Sequence, residues 1–166
     1  TLFGLAGNDT LRSGGSNNNM DGGAGDDSYY VVSEFEGIIE EPDKGTDEVF
    51  AQRSYTLPAN VENLTLIAGF SQFDGTGNEL NNVIRGDAGD NTLDGREGDD
   101  ELHGGDGDDE LIGGAGVDTL AGGPGSDAYI VDDADHVSRF DLLGHAPGED
   151  DADLVNSARA VFEANP

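Results

Sequence analysis

The chain has 166 residues, 27 of them glycine, a hydrophobic share of 34% and a formal net charge of −29. Ordinary domains are roughly 45–50% apolar, so this composition argues against a conventional globular core and is typical of a disordered chain unless cations neutralise the carboxylates. The 36 acidic and 7 basic residues argue against nucleic acids and anionic membranes as partners. No apolar stretch is long enough for a membrane span, and the lack of cysteine fits an extracellular protein stabilised by metal ions.

The first array, residues 1–30, has a period of nine residues. A large apolar residue recurs at Leu2, Leu11, Met20 and Tyr29. The glycine-rich loops 4–9 and 22–27 each end in aspartate, whereas the loop between them, 13–18, is degenerate. Because the sequence starts within a repeat, we expect the chain to be part of a longer protein.

The middle segment, residues 31–76, lacks the nine-residue period. Apolar and polar residues alternate over 48–51, 55–57 and 61–67, which predicts short strands. About 45 residues would give a marginal core by themselves. We therefore expect these strands to continue the fold of the first array without its glycine-rich loops.

The second array, residues 77–131, repeats the pattern G-G-x-G-x-D-x-U-x, in which U is a large apolar residue. The apolar positions are Leu93, Leu102, Leu111, Leu120 and Tyr129. Their loops are 86–91, 95–100, 104–109, 113–118 and 122–127, and a degenerate copy at 77–82 precedes Ile84. Five copies in phase are a highly specific signal.

The last segment, residues 132–166, corresponds to the start of the middle segment. Residues 27–32 match 127–132 at an offset of one hundred, and Asp47 corresponds to Asp153 at an offset of 106. The larger offset predicts an insertion within 142–150. We expect a truncated second segment of the same β type. Its end, without its partner strand, is expected to be either frayed or helical, with 153–163 as the candidate for one short helix.

The loop composition predicts calcium sites. Glycine brings backbone carbonyls close together, aspartate adds an anionic oxygen, and calcium takes about six to eight such oxygens. One loop supplies roughly half a shell, so two must stack. If successive nonapeptides lie on opposite sheets, eighteen residues make one coil of an all-β, parallel β-roll, and coils stack about 4.8 Å apart.

Loops eighteen residues apart then share an ion. This pairs Asp9 with Asp27, Asp100 with Asp118, and Asp109 with Asp127, and we expect about three to five calcium ions. Asn91 with Asp109 is a weaker pair, and Asn82 with Asp100 weaker still, because a neutral amide replaces one carboxylate. The predicted side-chain ligands are Asp9, Asp27, Asn91, Asp100, Asp109, Asp118 and Asp127. The predicted carbonyl ligands are the loop glycines Gly4, Gly22, Gly86, Gly95, Gly104, Gly105, Gly107, Gly113, Gly114, Gly116, Gly122, Gly123 and Gly125.

The two arrays, about half of the chain, resemble the RTX (repeats-in-toxin) family of haemolysin-type calcium-binding repeats. Residues 47–49, 54–57 and 60–66 are also similar to segments of bacterial RTX proteins. The resemblance implies a right-handed β-solenoid with calcium in its turns. It also implies a secreted bacterial protein that the type I secretion machinery exports and that folds outside the cell as calcium binds. In this family the repeats accompany proteases, lipases, epimerases, cytolysins and adhesins, so the resemblance identifies a module and leaves the parent activity open.

Other readings of the sequence carry less weight. Residues 90–101 imitate an EF-hand loop, but Thr92 stands at a ligand position and glycine-rich turns replace the flanking helices. A flexible glycine-rich linker would not place leucine at every ninth position. His103, His136 and His145 form no zinc motif, and no serine has a nucleophile-elbow setting, so we expect no catalysis in this chain.

An alternative function is a calcium-stabilised adhesive or polysaccharide-binding module. Its sequence support is Phe70 and Phe73, two aromatic residues close to glycines. They either cover the end of the hydrophobic core or form an exposed platform for a sugar ring. Self-association through the ends of the roll is also open.

Overall fold

The computed structural model describes residues 1–14, 18–33, 37–67 and 72–131, together with the backbone of 136–137 and 154–157. Within these ranges every regular element is a β-strand, and no helix is long and apolar enough to cross a membrane. The strands are β1 (Leu2–Ala6), β2 (Thr10–Arg12), β3 (Asn19–Ala24), β4 (Ser28–Val31), β5 (Gly37–Ile39), β6 (Glu48–Ala51), β7 (Tyr55–Thr56), β8 (Asn63–Leu66), β9 (Asp74–Thr76), β10 (Val83–Arg85), β11 (Thr92–Glu97), β12 (Glu101–His103), β13 (Glu110–Ala115), β14 (Thr119–Ala121), β15 (Ala128–Val131), β16 (His136–Val137) and β17 (Leu154–Ser157).

The strands wind into a parallel β-solenoid. All even-numbered strands form one eight-stranded sheet, in the order β16-β14-β12-β10-β8-β6-β4-β2. The odd-numbered strands form a three-stranded sheet, β1-β3-β5, and a six-stranded sheet, β17-β15-β13-β11-β9-β7. Consecutive strands therefore alternate between sheets, and strands two elements apart pair in parallel, except β5 and β7, which belong to separate sheets. The predicted all-β, parallel architecture is confirmed.

The register within the arrays is eighteen residues per coil. Leu2 pairs with Met20, and Leu93 pairs with Leu111. In the middle segment the coil length varies: Tyr29 pairs with Val49 twenty residues later, and Val49 with Leu64 fifteen residues later. The even-numbered strands stack without a break while the turns between them change length, which explains why the nine-residue period disappears from the sequence.

One inward side chain from each repeat builds the core. The apolar repeat positions that are at most 5% exposed are Leu11, Met20, Tyr29, Ile84, Leu93, Leu102, Leu111, Leu120 and Tyr129. Burying each such side chain contributes about 1.5–3 kcal/mol. Leu2 is the exception at 38% exposed, because β1 is the terminal strand of its sheet and only β3 flanks it.

The helix expected over 153–163 is wrong where the structure describes it. Leu154–Ser157 is strand β17 and pairs with β15, with Tyr129 opposite Val155. Pairing satisfies the backbone groups at the edge of β15, and such tertiary hydrogen bonding outweighs the weak helical preference of a short segment. This coil is 26 residues long against twenty for Tyr29 and Val49. The difference of six equals the predicted growth of the offset from 100 to 106. Residues 142–150 and 158–163 lie outside the described residues.

Candidate metal centres

The loops stack along two edges of the solenoid. Residues that immediately precede even-numbered strands form the even edge, and those that precede odd-numbered strands form the odd edge. Among the described residues, the even edge consists of Asp9, Asp27, Asp47, Glu62, Asn82, Asp100 and Asp118, and the odd edge includes Asn91, Asp109 and Asp127. Most of these side chains are buried, and the six aspartates from Asp27 onward are at most 2% exposed. Asp9, in the first coil, is half-buried.

The structure brings together the aspartates that the eighteen-residue coil predicts as partners. The backbone N–H of Asp9 donates to Oδ1 of Asp27 at 2.7 Å. Asp100 donates in the same way to Asp118 at 2.8 Å. On the odd edge, Asp109 donates to Asp127 at 2.9 Å. One oxygen of each accepting carboxylate is therefore fixed by the backbone of the preceding coil.

The second carboxylate oxygen has no such partner at several positions. Among the described residues, Oδ2 of Asp9, Asp27, Asp100 and Asp109 is buried and accepts no hydrogen bond. Buried polar atoms are nearly always hydrogen-bonded, and an isolated buried charge is very costly. Carboxylate oxygens beside backbone carbonyls are hard donors that suit calcium. The residues present thus fit the calcium ions that the sequence implies.

The first glycine of several loops is required for space. A Cβ at Gly104 would collide with Oδ2 of Asp109 and with the carbonyl oxygen of Gly122. A Cβ at Gly95 would meet Oδ2 of Asp100 and the carbonyl oxygen of Gly113 in the same way. Carboxylate and carbonyl oxygens from two successive coils therefore converge beside this α-carbon.

The second loop position has a different requirement. Gly105 has a φ of +116° there, in the left-handed region that glycine adopts without steric cost. Arg96 occupies the same loop position with a φ of +79°, and Leu5 with a φ of +88°. These two loops keep the backbone conformation of the repeat, and the residues other than glycine at this position are strained by their positive φ.

Burial without a counter-ion shifts the carboxyl groups toward their protonated form. Burial raises the pKa of Asp109 to about 7, against the lowering effect of the hydrogen bond from the backbone N–H of Asn91. It raises the pKa of Asp100 to about 6, where the N–H of Asn82 has the same opposing effect. The pKa of Asp27 is also raised, mainly by burial. A bound cation would favour the charged form and so oppose these shifts.

Asn91 and Asn82 lie on the predicted rows, but their amides serve the backbone. Asn91 N–H donates to Asp109 at 2.8 Å, as the pairing predicts. Its Oδ1 accepts from the N–H of Asp87, and its Nδ2 donates to the carbonyl of Phe73 at 2.9 Å. Asn82 Nδ2 donates to the carbonyls of the preceding coil. At these positions the amide groups satisfy carbonyl oxygens that would otherwise need an ion as their partner.

Sequence reasoning missed that the even edge continues through the middle segment. Asp27 N–H donates to Oδ1 of Asp47 at 2.8 Å, and Asp47 N–H donates to Oε2 of Glu62 at 2.8 Å. Asp47 is 2% exposed, and burial raises its pKa to about 6. The available signal was Gly45-Thr46-Asp47, which retains the G-x-D end of a loop.

The aromatic pair separates into two cases. Phe73 is half-buried and packs against the hydrophobic core. Of the two roles that the sequence left open, this agrees with covering the core and not with an exposed platform for a sugar ring. Phe70 lies outside the described residues.

Comparison with known proteins agrees with this geometry. The sequence profile of the RTX calcium-binding nonapeptide repeat, four copies, matches residues 1–29, 76–111 and 97–129. The chain is 46% identical over 90 residues to the endo-1,3-1,4-beta-glycanase ExsH of Rhizobium meliloti (strain 1021), covering 54% of this chain and 19% of that protein. It is 42% identical over 86 residues to the endo-1,3-1,4-beta-glycanase EglC of the same organism, covering 51% of this chain and 18% of that protein. The chain thus matches less than a fifth of each relative's length, and no solved structure matches it.

Proposed function

Because this chain belongs to the RTX calcium-binding nonapeptide repeat family, we propose that it is a calcium-dependent folding module of a larger secreted bacterial protein. The buried second oxygens of Asp27, Asp100 and Asp109, which accept no hydrogen bond from the described residues, are the observation that carries the proposal. The fold concentrates negative charge in its own interior and therefore needs a cation to be stable.

The proposed ions lie between coils, at the pairs Asp9–Asp27, Asp100–Asp118 and Asp109–Asp127, with Asn91–Asp109 as a weaker position. The carbonyls of the loop glycines complete each shell. This gives about three to five ions, the number expected from the ligand count. The row of hydrogen bonds between coils supports this pairing, because it already places one loop above the next.

Calcium concentration then decides the state of the chain. At the low calcium of the cytosol, repulsion among 36 acidic residues keeps the chain unfolded and able to pass through a type I secretion channel. Outside the cell, calcium binding to the folded state stabilises it by about 2.7 kcal/mol per site at a hundredfold excess over Kd. Because each coil packs only on its neighbours, successive sites reinforce one another and folding is cooperative.

The parent protein is proposed to be an extracellular enzyme that carries this module beside a catalytic domain. The two relatives are named as endo-1,3-1,4-beta-glycanases, which makes glycan hydrolysis the first activity to test in the parent. Within this chain the carboxylates of the loops serve metal binding, so we assign no catalytic residue here.

Far-UV circular dichroism in EDTA and during a calcium titration tests the proposal, with magnesium as the control. We expect a cooperative change from coil to β-structure with calcium alone. A β spectrum already present in EDTA and unchanged by calcium would refute the folding switch.

A further inference from the structure

Three acidic side chains meet where the first array joins the middle segment. Asp27, Glu40 and Asp47 each place one carboxylate oxygen within 4.8 Å of the others. Asp27 ends the last loop of the array, Glu40 follows β5, and Asp47 precedes β6. Only Asp27 belongs to a nonapeptide repeat, so the repeat motif alone would not predict this cluster.

Unpartnered oxygens point into the cluster. Asp27 is 1% exposed, and among the described residues its Oδ2 has no hydrogen-bond partner. A Cβ built on Gly22 would touch both this Oδ2 and the hydroxyl of Tyr29, so the two atoms lie on the same side. The Tyr29 hydroxyl in turn contacts Oε1 of Glu40. Oε2 of Glu40 is also buried and, within the described ranges, accepts no hydrogen bond.

The backbone holds the three carboxylates in place. Asp47 Oδ1 accepts from Asp27 N–H at 2.8 Å, which fixes the spacing of these two side chains. Asn60 Nδ2 donates to the carbonyl of Glu40 at 2.9 Å, and Gly22 N–H donates to the Tyr29 hydroxyl at 2.8 Å. The cluster is therefore built by contacts from several coils and does not depend on attraction among its own members.

The electrostatic surroundings add negative charge. Asp27 and Glu62 act on Asp47, and Asp27 and Asp21 act on Glu40; each of these acids opposes ionisation of its neighbour, and burial has the larger effect in the same direction. A divalent cation is the species that would offset three converging carboxylates at once.

We propose that Asp27, Glu40 and Asp47 bind one further calcium ion at this junction, outside the nonapeptide motif. The inference rests on the proposed calcium-dependent folding. Three carboxylates supply oxygen donors only, which favours calcium over zinc or copper. The ion would hold the even edge together where the coil length changes from eighteen to twenty residues, as the pairs Leu11–Tyr29 and Tyr29–Val49 show.

The second array offers an internal comparison. Ile38 pairs with Met20, and Val137 pairs with Leu120. Met20 and Leu120 are equivalent positions one hundred residues apart, so Ile38 and Val137 are equivalent as well. Two residues after Ile38 the sequence has Glu40, whereas two residues after Val137 it has Arg139. In the sequence, the second junction therefore has a basic residue where the first has its third carboxylate.

Counting bound calcium in the whole chain tests the site. Glu40→Gln keeps the size of the side chain and removes its charge. Glu41→Gln is the matched control, because the Glu41 side chain is 78% exposed and pairs with Lys44 at 3.8 Å on the surface. Equilibrium dialysis is performed at calcium concentrations where all variants have the same β spectrum. We expect Glu40→Gln to bind one ion fewer than the wild type and Glu41→Gln to bind the same number. An unchanged count in Glu40→Gln would overturn the proposal.

Two further outcomes are informative. If Glu40→Gln does not reach the β spectrum, Glu40→Asp replaces it; we expect this variant to fold with at least one calcium affinity lowered tenfold or more, and unchanged affinities would overturn the proposal. If the wild type itself binds no calcium, the folding function fails together with this site. A wild type that binds calcium and folds, with an unaltered count in Glu40→Gln, refutes the junction site alone.

Discussion

Replacing Asp109 by asparagine should stabilise the metal-free fold and reduce the stabilisation that calcium adds. Asp109 lies in the middle of the odd edge, where its Oδ1 accepts from Asn91 and its N–H donates to Asp127. Asparagine keeps Oδ1 and the volume of the side chain but removes the charge. The measured effects therefore report the charge rather than a cavity.

In EDTA the substitution should stabilise the fold. The buried carboxyl has a pKa of about 7 against about 3.9 in an unfolded chain, and each pKa unit corresponds to about 1.4 kcal/mol. Removing the charge thus favours the metal-free fold by up to about 4 kcal/mol above neutral pH.

In calcium the same substitution should offset this gain. Asp109 supplies an oxygen to two proposed ions, one shared with Asn91 and one shared with Asp127. Losing one ion removes about 2.7 kcal/mol of stabilisation at a hundredfold excess over Kd. With the second ion weakened, the stabilisation gained from calcium should fall by about 3–5 kcal/mol. In the calcium-bound protein this loss offsets the gain of up to about 4 kcal/mol from removing the charge, so the free energy of unfolding should change by about 1 kcal/mol, and the calcium titration should be less steep because fewer ions bind on folding.

The assay is a calcium titration followed by circular dichroism, with urea unfolding at saturating calcium. Asp106→Asn is the control, because this exposed residue carries the same charge in the same loop. If Asp109→Asn and Asp106→Asn titrate alike, the assignment of Asp109 as a ligand shared by two coils is refuted.

Three other predictions concern pH, backbone strain and the core. In EDTA, acidification from about pH 8 to about pH 5 should increase β-structure. The pKa values of Asp100 and Asp109 are raised, so the metal-free fold loses stability as pH rises through about 6–7. A circular dichroism spectrum independent of pH would contradict this. Arg96→Gly should raise the free energy of unfolding in calcium by about 1 kcal/mol by removing a positive-φ side chain, and a lower value in urea unfolding would argue against strain at this loop. Leu111→Ala should cost about 2–5 kcal/mol in the same experiment, whereas Leu2→Ala should cost less than about 1 kcal/mol because Leu2 is 38% exposed; equal losses would contradict the described core.

The sequence was sufficient for features that depend on a fixed period. Nine-residue spacing placed Leu93 and Leu111 on one sheet and predicted their direct pairing. The same spacing predicted that the loop of Asp100 stacks on that of Asp118. Both follow from the geometry of a coil with two equal halves, which needs no knowledge of the rest of the chain.

Features that depend on unequal turns could not be read in this way. Asp47 lies twenty residues after Asp27, and Glu62 lies fifteen after Asp47, yet hydrogen bonds join them as they join loops eighteen apart. Glu40 reaches the same cluster from the end of β5. Sequence spacing does not reveal such neighbours, because turn length can change while strand pairing is kept.

The division of the odd-numbered strands has a mechanical consequence. The even-numbered sheet runs past the position where β1-β3-β5 ends and β7 to β17 begins. In a solenoid, hydrogen bonds between strands run along the long axis, so at this position a pull along that axis is carried by β4, β6 and β8 on one side only. We expect the module to give way first at this coil under load, leaving the coils of the second array intact.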